Sequence, residues 1–285
     1  MTRTTRRPTG GRLGWHVLRA GFFTLISVGA AAERVRFATV ESAALGRTLP
    51  VAVVSPAATP VNGTTAPVLF LLHGRGRNHR SLLESTAARS VLLAAPYYIV
   101  LPQGEDGWYI DSPVRSADRY GTYLEEVLHW AETTLPVGRS AARRGIAGWS
   151  MGGYGAVRFA QTHPGVFGFV GSVIGLLDYP RPADLPAGQN YRLVPERFGT
   201  DASVWAGLNP RNHAEKLRGS SVQLVLATRG FERTMNENFL ASLRAVGEAA
   251  EVHWLEGGHE FAVVEHALPL VVAGAERFFT ERKAR

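Results

Sequence analysis

A chain of 285 residues with 45% hydrophobic and 19% charged residues can bury one large core and has a globular composition, neither disordered nor fibrous. It has no cysteine, which excludes a disulfide scaffold, a thiol nucleophile and a thiolate metal site. The net charge of +7 has a terminal origin: Arg3, Arg6, Arg7, Arg12 and Arg19 lie near the start with no acid among them, and the body carries no basic, aromatic-interleaved stripe for nucleic acid.

Residues 1–32 run from a basic segment through the apolar stretch 20–28 to small residues at Ala30 and Ala32, the order of an export signal. Such a signal would place the protein outside the cell or in its envelope; without one, the segment is a tail plus an apolar element packed on a cytoplasmic protein. The apolar stretch is too short for a stable membrane span. Alternation over 34–40 and again over 49–54 predicts two half-buried strands, and the Pro-, Thr- and Asn-containing stretch 55–67 a loop. The apolar runs 68–72 and 98–101 predict strands covered on both faces, with a helix over 81–96 between them. Helical periodicity follows over 120–135, then a short strand at 145–147 and a helix over 154–161. Strands at 170–174, 222–228 and 251–255 and helices over 236–246 and 262–280 complete the alternation, with a kink or break expected at Pro269. The stretch 178–212, rich in Pro, Gly, Asn and Asp, predicts a cap or loop insertion. Alternating strands and helices imply an α/β fold: one domain over 33–285 with a mostly parallel central sheet flanked by helices.

Three pieces carry chemistry. Gly148-Trp149-Ser150-Met151-Gly152 is a G-x-S-x-G pentapeptide between a predicted strand and a predicted helix, the context of a nucleophile elbow. His73-Gly74-Arg75-Gly76 ends an earlier central strand. In the elbow architecture the loop there and the residue after the nucleophile each supply a backbone N–H to a tetrahedral oxyanion, here Arg75 and Met151. His259, in Glu256-Gly257-Gly258-His259, follows the last strand and fits the general base. His163, before a proline at a helix end, reads as structural, and His129 lies too far along its helix. His79, His213, His253 and His266 have no metal-ligand spacing, so no metal is expected.

The stretches Leu71-Leu72-His73-Gly74, Gly107-Trp108-Tyr109-Ile110-Asp111-Ser112-Pro113, Gly148 to Ala156 and Gly257-Gly258-His259 together resemble the putative-esterase group of α/β-hydrolases. That group includes esterase D or S-formylglutathione hydrolases, tributyrin and feruloyl esterases and mycolyltransferases. The resemblance covers about 34–281. It implies a single-domain α/β-hydrolase fold, a cofactor-free serine ester hydrolase acting on a small-molecule ester, and a pocket wall containing Trp108 and Tyr109; it leaves the oligomeric state open. Related esterases place an aspartate after the strand aligned with 222–228, where this sequence has Gly230. Glu232, two residues on, is the first replacement; Asp201, Asp178 and Glu256 are others, and a dyad or weakened site is a third reading. The rival functions are an acyltransferase using the same acyl-enzyme and a binding protein on a decayed hydrolase fold.

Overall fold

The computed structural model describes residues 1–2, 34–58, 64–182 and 191–283. The export-signal reading therefore falls outside the described residues, as does 183–190 of the insertion.

Eight strands form one sheet: β1 (Val35–Ser42), β2 (Arg47–Val54), β3 (Val68–Leu72), β4 (Tyr98–Pro102), β5 (Arg144–Trp149), β6 (Phe169–Val173), β7 (Ser221–Ala227) and β8 (Ala250–Leu255). Their order is β1-β2-β4-β3-β5-β6-β7-β8. β1 pairs with β2 and β2 with β4 antiparallel, while every pairing from β4 across to β8 is parallel. Every residue of β3, β4, β5 and β6 is buried, as unbroken apolar runs require when helices cover both faces. The helices are α1 (Ser81–Glu84), α2 (Thr86–Ala94), α3 (Tyr120–Thr134), α4 (Met151–Thr162), α5 (Pro195–Phe198), α6 (Ala202–Leu208), α7 (Arg233–Ala245) and α8 (Phe261–Lys283).

The two-residue period of the strands divides the interior into two cores. On one face Phe70, Val100, Ile146 and Leu224 pack with Leu124 of α3, Val157 of α4 and Phe239 of α7. On the other, Leu69, Leu71, Ile99 and Val225 pack with Leu92 of α2 and Val271 of α8. The strand order reverses about β3, between β4 and β5. Loops leaving the carboxyl ends of β3 and β5 diverge there, which opens the crevice where sheets of this kind bind ligands. The His73 loop follows β3 and the Ser150 elbow follows β5.

Two helices differ from the sequence pattern. The segment predicted as one helix over 81–96 is two, because Ser85 adopts an extended conformation (φ −80°, ψ 124°) and its hydroxyl accepts the Ala88 N–H at 3.3 Å as the cap of α2. α8 runs through Pro269 as one helix, without the break that was the stronger form of the expectation there. Pro269 lies on the exposed side, so the carbonyl one turn back that loses its partner can be hydrated. Among the described residues no helix is long and apolar enough to cross a membrane.

Candidate active site

Ser150 stands at the junction of β5 and α4 with φ 54° and ψ −120°, a conformation that costs a non-glycine residue about 1–3 kcal/mol. Its surroundings over-determine that turn. The Ser150 N–H donates to the Val173 carbonyl at 2.9 Å, and the Ser150 carbonyl accepts the Tyr154 N–H at 3.0 Å. The flanking glycines allow α4 to cross tightly: a Cβ at Gly148 would lie 2.3 Å from the Gly152 carbonyl oxygen, and one at Gly152 would lie 2.2 Å from that of Leu72.

From this turn a row of hydrogen bonds runs outward. Ser150 Oγ lies 2.8 Å from His259 Nε2, and His259 Nδ1 lies 2.8 Å from Glu232 Oε2. An ionised carboxylate only accepts, so Nδ1 carries the imidazole proton and Nε2 is free to accept from the serine hydroxyl. The three residues come from the ends of β5, β7 and β8. Glu232 is 1% exposed and stands at the N-terminus of α7, where helix dipoles favour negative charge. A Cβ at Gly230 would lie 2.1 Å from Glu232 Oε1, so the carboxylate occupies the space that a side chain at 230 would need. The other acids named from the sequence are engaged elsewhere. Asp178 accepts from Arg181, Arg211, Asn209 and Asn238; Glu256 pairs with Arg229; Asp201 caps α6 through the Ser203 N–H.

The loop after β3 is pinned from beneath by His73, which is 1% exposed. Its Nε2 accepts the Gly104 N–H at 2.8 Å, which places the ring proton on Nδ1 to donate to the Gly74 carbonyl at 2.9 Å. Burial lowers its pKa from the usual 6.5 to about 4, so the ring is neutral. The Arg75 guanidinium holds the loop from outside, donating to both Asp106 oxygens at 2.9 and 3.0 Å and to the Tyr191 hydroxyl at 3.3 Å. Neither the Arg75 nor the Met151 backbone N–H has a hydrogen-bond partner among the described residues.

Trp108 and Tyr109 are where sequence and structure part. The resemblance implied a pocket wall, yet each is 1% exposed, and neither lines the cavity at Ser150. Both adopt positive φ (54° and 55°), which turns their rings inward. Trp108 packs among Tyr154, Tyr179 and Phe198, while the Tyr109 hydroxyl donates to the His73 carbonyl at 3.2 Å. Their place is in the core behind the loop that follows β3.

Two aromatic residues that sequence reasoning passed over cover the histidine instead. The Phe231 ring lies 4.4 Å from the His259 ring, and Tyr191 stacks on Phe231 at 5.3 Å and 16°. Phe231 adjoins Glu232, the only signal it gave. Tyr191 gave none, coming from the insertion.

The family model described as Putative esterase matches residues 42–269. Esterase Rv1288 of Mycobacterium tuberculosis (strain H37Rv) is 26% identical over 255 residues, covering 80% of this chain and 56% of that protein. The chain thus spans little more than half the length of that curated relative. An acetyl esterase of Caldicellulosiruptor saccharolyticus is 32% identical over 101 residues, 34% of this chain and 37% of that one. Among solved structures, the fluorophosphonate-binding serine hydrolase F (FphF) of Staphylococcus aureus superposes with a TM-score of 0.73 at 18% identity, over 85% of this chain and 97% of its own. At that identity the likeness is one of fold.

Proposed function

The chain belongs to the Putative esterase family of α/β-hydrolases, and from that premise we propose that it hydrolyses small carboxylic esters through an acyl-enzyme on Ser150. The observation that carries this reading is the unbroken row from Ser150 to His259 to Glu232, with both hydrogen bonds at 2.8 Å, at the crevice where the strand order reverses.

Ser150 Oγ attacks the ester carbonyl carbon as its proton passes to His259 Nε2. Glu232 holds the Nδ1–H and balances the imidazolium that forms. The carbonyl oxygen becomes an oxyanion and takes hydrogen bonds from the Arg75 and Met151 N–H groups; each such donor is worth about 10²–10³ in rate. Collapse breaks the bond to the alkoxy oxygen, which leaves as alcohol with the proton from His259. Water then attacks the acyl carbon, giving its proton to His259, and a second collapse frees the acid and restores Ser150. The curated relatives are esterases by name, which agrees with this course.

The test combines fluorophosphonate labelling with ester hydrolysis. Wild-type protein is expected to label and to release acid; Ser150→Ala is expected to do neither, and Glu232→Gln to do both far more slowly. Equal labelling of wild type and Ser150→Ala would overturn the assignment of the nucleophile. Hydrolysis by Glu232→Gln at the wild-type rate would overturn that of the acid.

A further inference from the structure

The loop after β3 carries two arginines into the lining of the cavity that contains Ser150 and His259, and their circumstances differ. The Arg75 charge is spent on Asp106, with Glu196 a further 3.9 Å away. Arg77 has no carboxylate within ion-pair distance among the described residues; its guanidinium lies over the Phe261 ring, 4.4 Å from the centroid. Phe261, the first residue of α8, lines the same cavity and rests against Trp149.

An aromatic face orients a guanidinium without neutralising it, and it occupies only the face. The N–H groups lie in the plane of the guanidinium and remain available to a planar, two-oxygen acceptor. The turn that bonds the Arg77 N–H to the Gly74 carbonyl at 3.1 Å sets the position of this arginine relative to the oxyanion loop. The one acidic side chain in the lining among the described residues, Glu260, is turned back onto the Gly258 N–H. Ile174, Val264 and Trp149 supply apolar wall, and the cavity measures about 180 Å³, below the range of drug-sized ligand sites.

We infer that the substrates of this site are short esters carrying a carboxylate, held by the Arg77 guanidinium at the rim while Ser150 attacks the ester. This rests on the esterase reading and names its substrate class. One cation, unpaired with any carboxylate among the described residues, matches a monoanionic carboxylate rather than a doubly charged phosphate, and the small cavity limits the spacer to a few carbons.

The test measures kcat/KM on matched pairs of esters. Mono-4-nitrophenyl glutarate against 4-nitrophenyl pentanoate places the carboxylate on the acyl side. 4-Acetoxybenzoate against its methyl ester places it on the leaving group. In one of the two pairs the wild type is expected to prefer the anion. Arg77→Gln should lower that anionic-to-neutral ratio about tenfold, mainly through KM, while Arg77→Lys, which keeps the charge but loses the planar fork, retains only part of it. Raising salt to about 0.5 M should compress the wild-type ratio. The inference is overturned if the wild type prefers neutral esters in both pairs, if Arg77→Gln leaves the ratio unchanged, or if Gln and Lys lower it equally. Hydrolysis of the neutral esters with fluorophosphonate labelling, but without charge discrimination, removes this inference and leaves the esterase reading standing. Failure to hydrolyse or label at all removes both.

Discussion

A single methyl group at Gly230 is expected to disable the site without touching Ser150 or His259. The Cβ of a Gly230→Ala variant would stand 2.1 Å from Glu232 Oε1, 2.5 Å from Cδ and 2.6 Å from Oε2. Non-bonded atoms settle at about 3.5 Å, so the carboxylate has to retreat by roughly 1 Å. A 2.8 Å hydrogen bond to His259 does not survive that displacement. The loop has little freedom to absorb the strain. Thr228 N–H is held by the Leu255 carbonyl at 2.9 Å, Arg229 N–H by that of Gly257 at 2.9 Å, and the Gly230 carbonyl by Arg233 N–H at 3.1 Å. Gly230 is not among the residues with positive φ, so its backbone accepts alanine and the effect falls on the carboxylate. Loss of the orienting acid in a serine triad lowers kcat by up to about 10⁴. We expect a fall of about 10²–10⁴, or roughly 3–5 kcal/mol in the barrier. The assay is kcat on a chromogenic ester, with circular dichroism and Tm confirming the fold. Gly230→Asp combined with Glu232→Ala should recover part of the loss, because a shorter side chain from 230 starts in the space that the Glu232 carboxylate fills. A Gly230→Ala protein that keeps half or more of wild-type kcat would refute the reasoning.

Three further outcomes are expected. His73 has a folded pKa of about 4 against 6.5 unfolded, so the unfolded chain binds its proton first as pH falls. Its contribution is intact above about pH 6.5 and is lost progressively down to pH 4, about 3 kcal/mol in all; urea unfolding across that window should be correspondingly shallower in His73→Asn. Asp178→Ala removes a carboxylate that is 2% exposed and accepts from Arg181, Arg211, Asn209 and Asn238, and calorimetry should record a loss of about 3–5 kcal/mol. Tyr109→Phe removes the bond to the His73 carbonyl and should cost about 1 kcal/mol; a substitution that moved KM more than Tm would return Tyr109 to the substrate side.

Much of this was legible in the residues because the relevant signals are local. Unbroken apolar runs gave the central strands, and the glycines around Ser150 gave the tight strand-to-helix turn, since close backbone crossing leaves no room for side chains. Chain order alone put His259 after the last strand. What stayed hidden depends on backbone direction inside loops. Trp108 and Tyr109 are apolar and lie beside the site, but only their positive φ values decide that the rings face the core. Glu232 could be favoured as the acid but not fixed, because the choice rests on a turn that folds its longer side chain back over Gly230. Tyr191 reaches Phe231 across forty positions, a contact for which no spacing rule exists. Ser85 breaks a helical pattern that its neighbours continue, because a serine hydroxyl satisfies an N-terminal amide better than the interior of a longer helix.

The strand order also has a consequence for how this protein acquires and loses competence. Ser150 is anchored between β3 and β6 at the centre of the sheet, whereas His259 depends on β8, which pairs with β7 alone and is only half buried along its length. Edge elements of this kind open sub-globally at lower free energy than the centre. Hydrolysis should therefore fade under mild heat or denaturant ahead of the main unfolding transition, with Ser150 still folded but His259 no longer held against it. During synthesis the same dependence runs forward, because Ser150 is formed 109 residues before His259. On the proposed mechanism a nascent chain lacks its general base until β8 joins the sheet, so the onset of activity would report the docking of this edge strand.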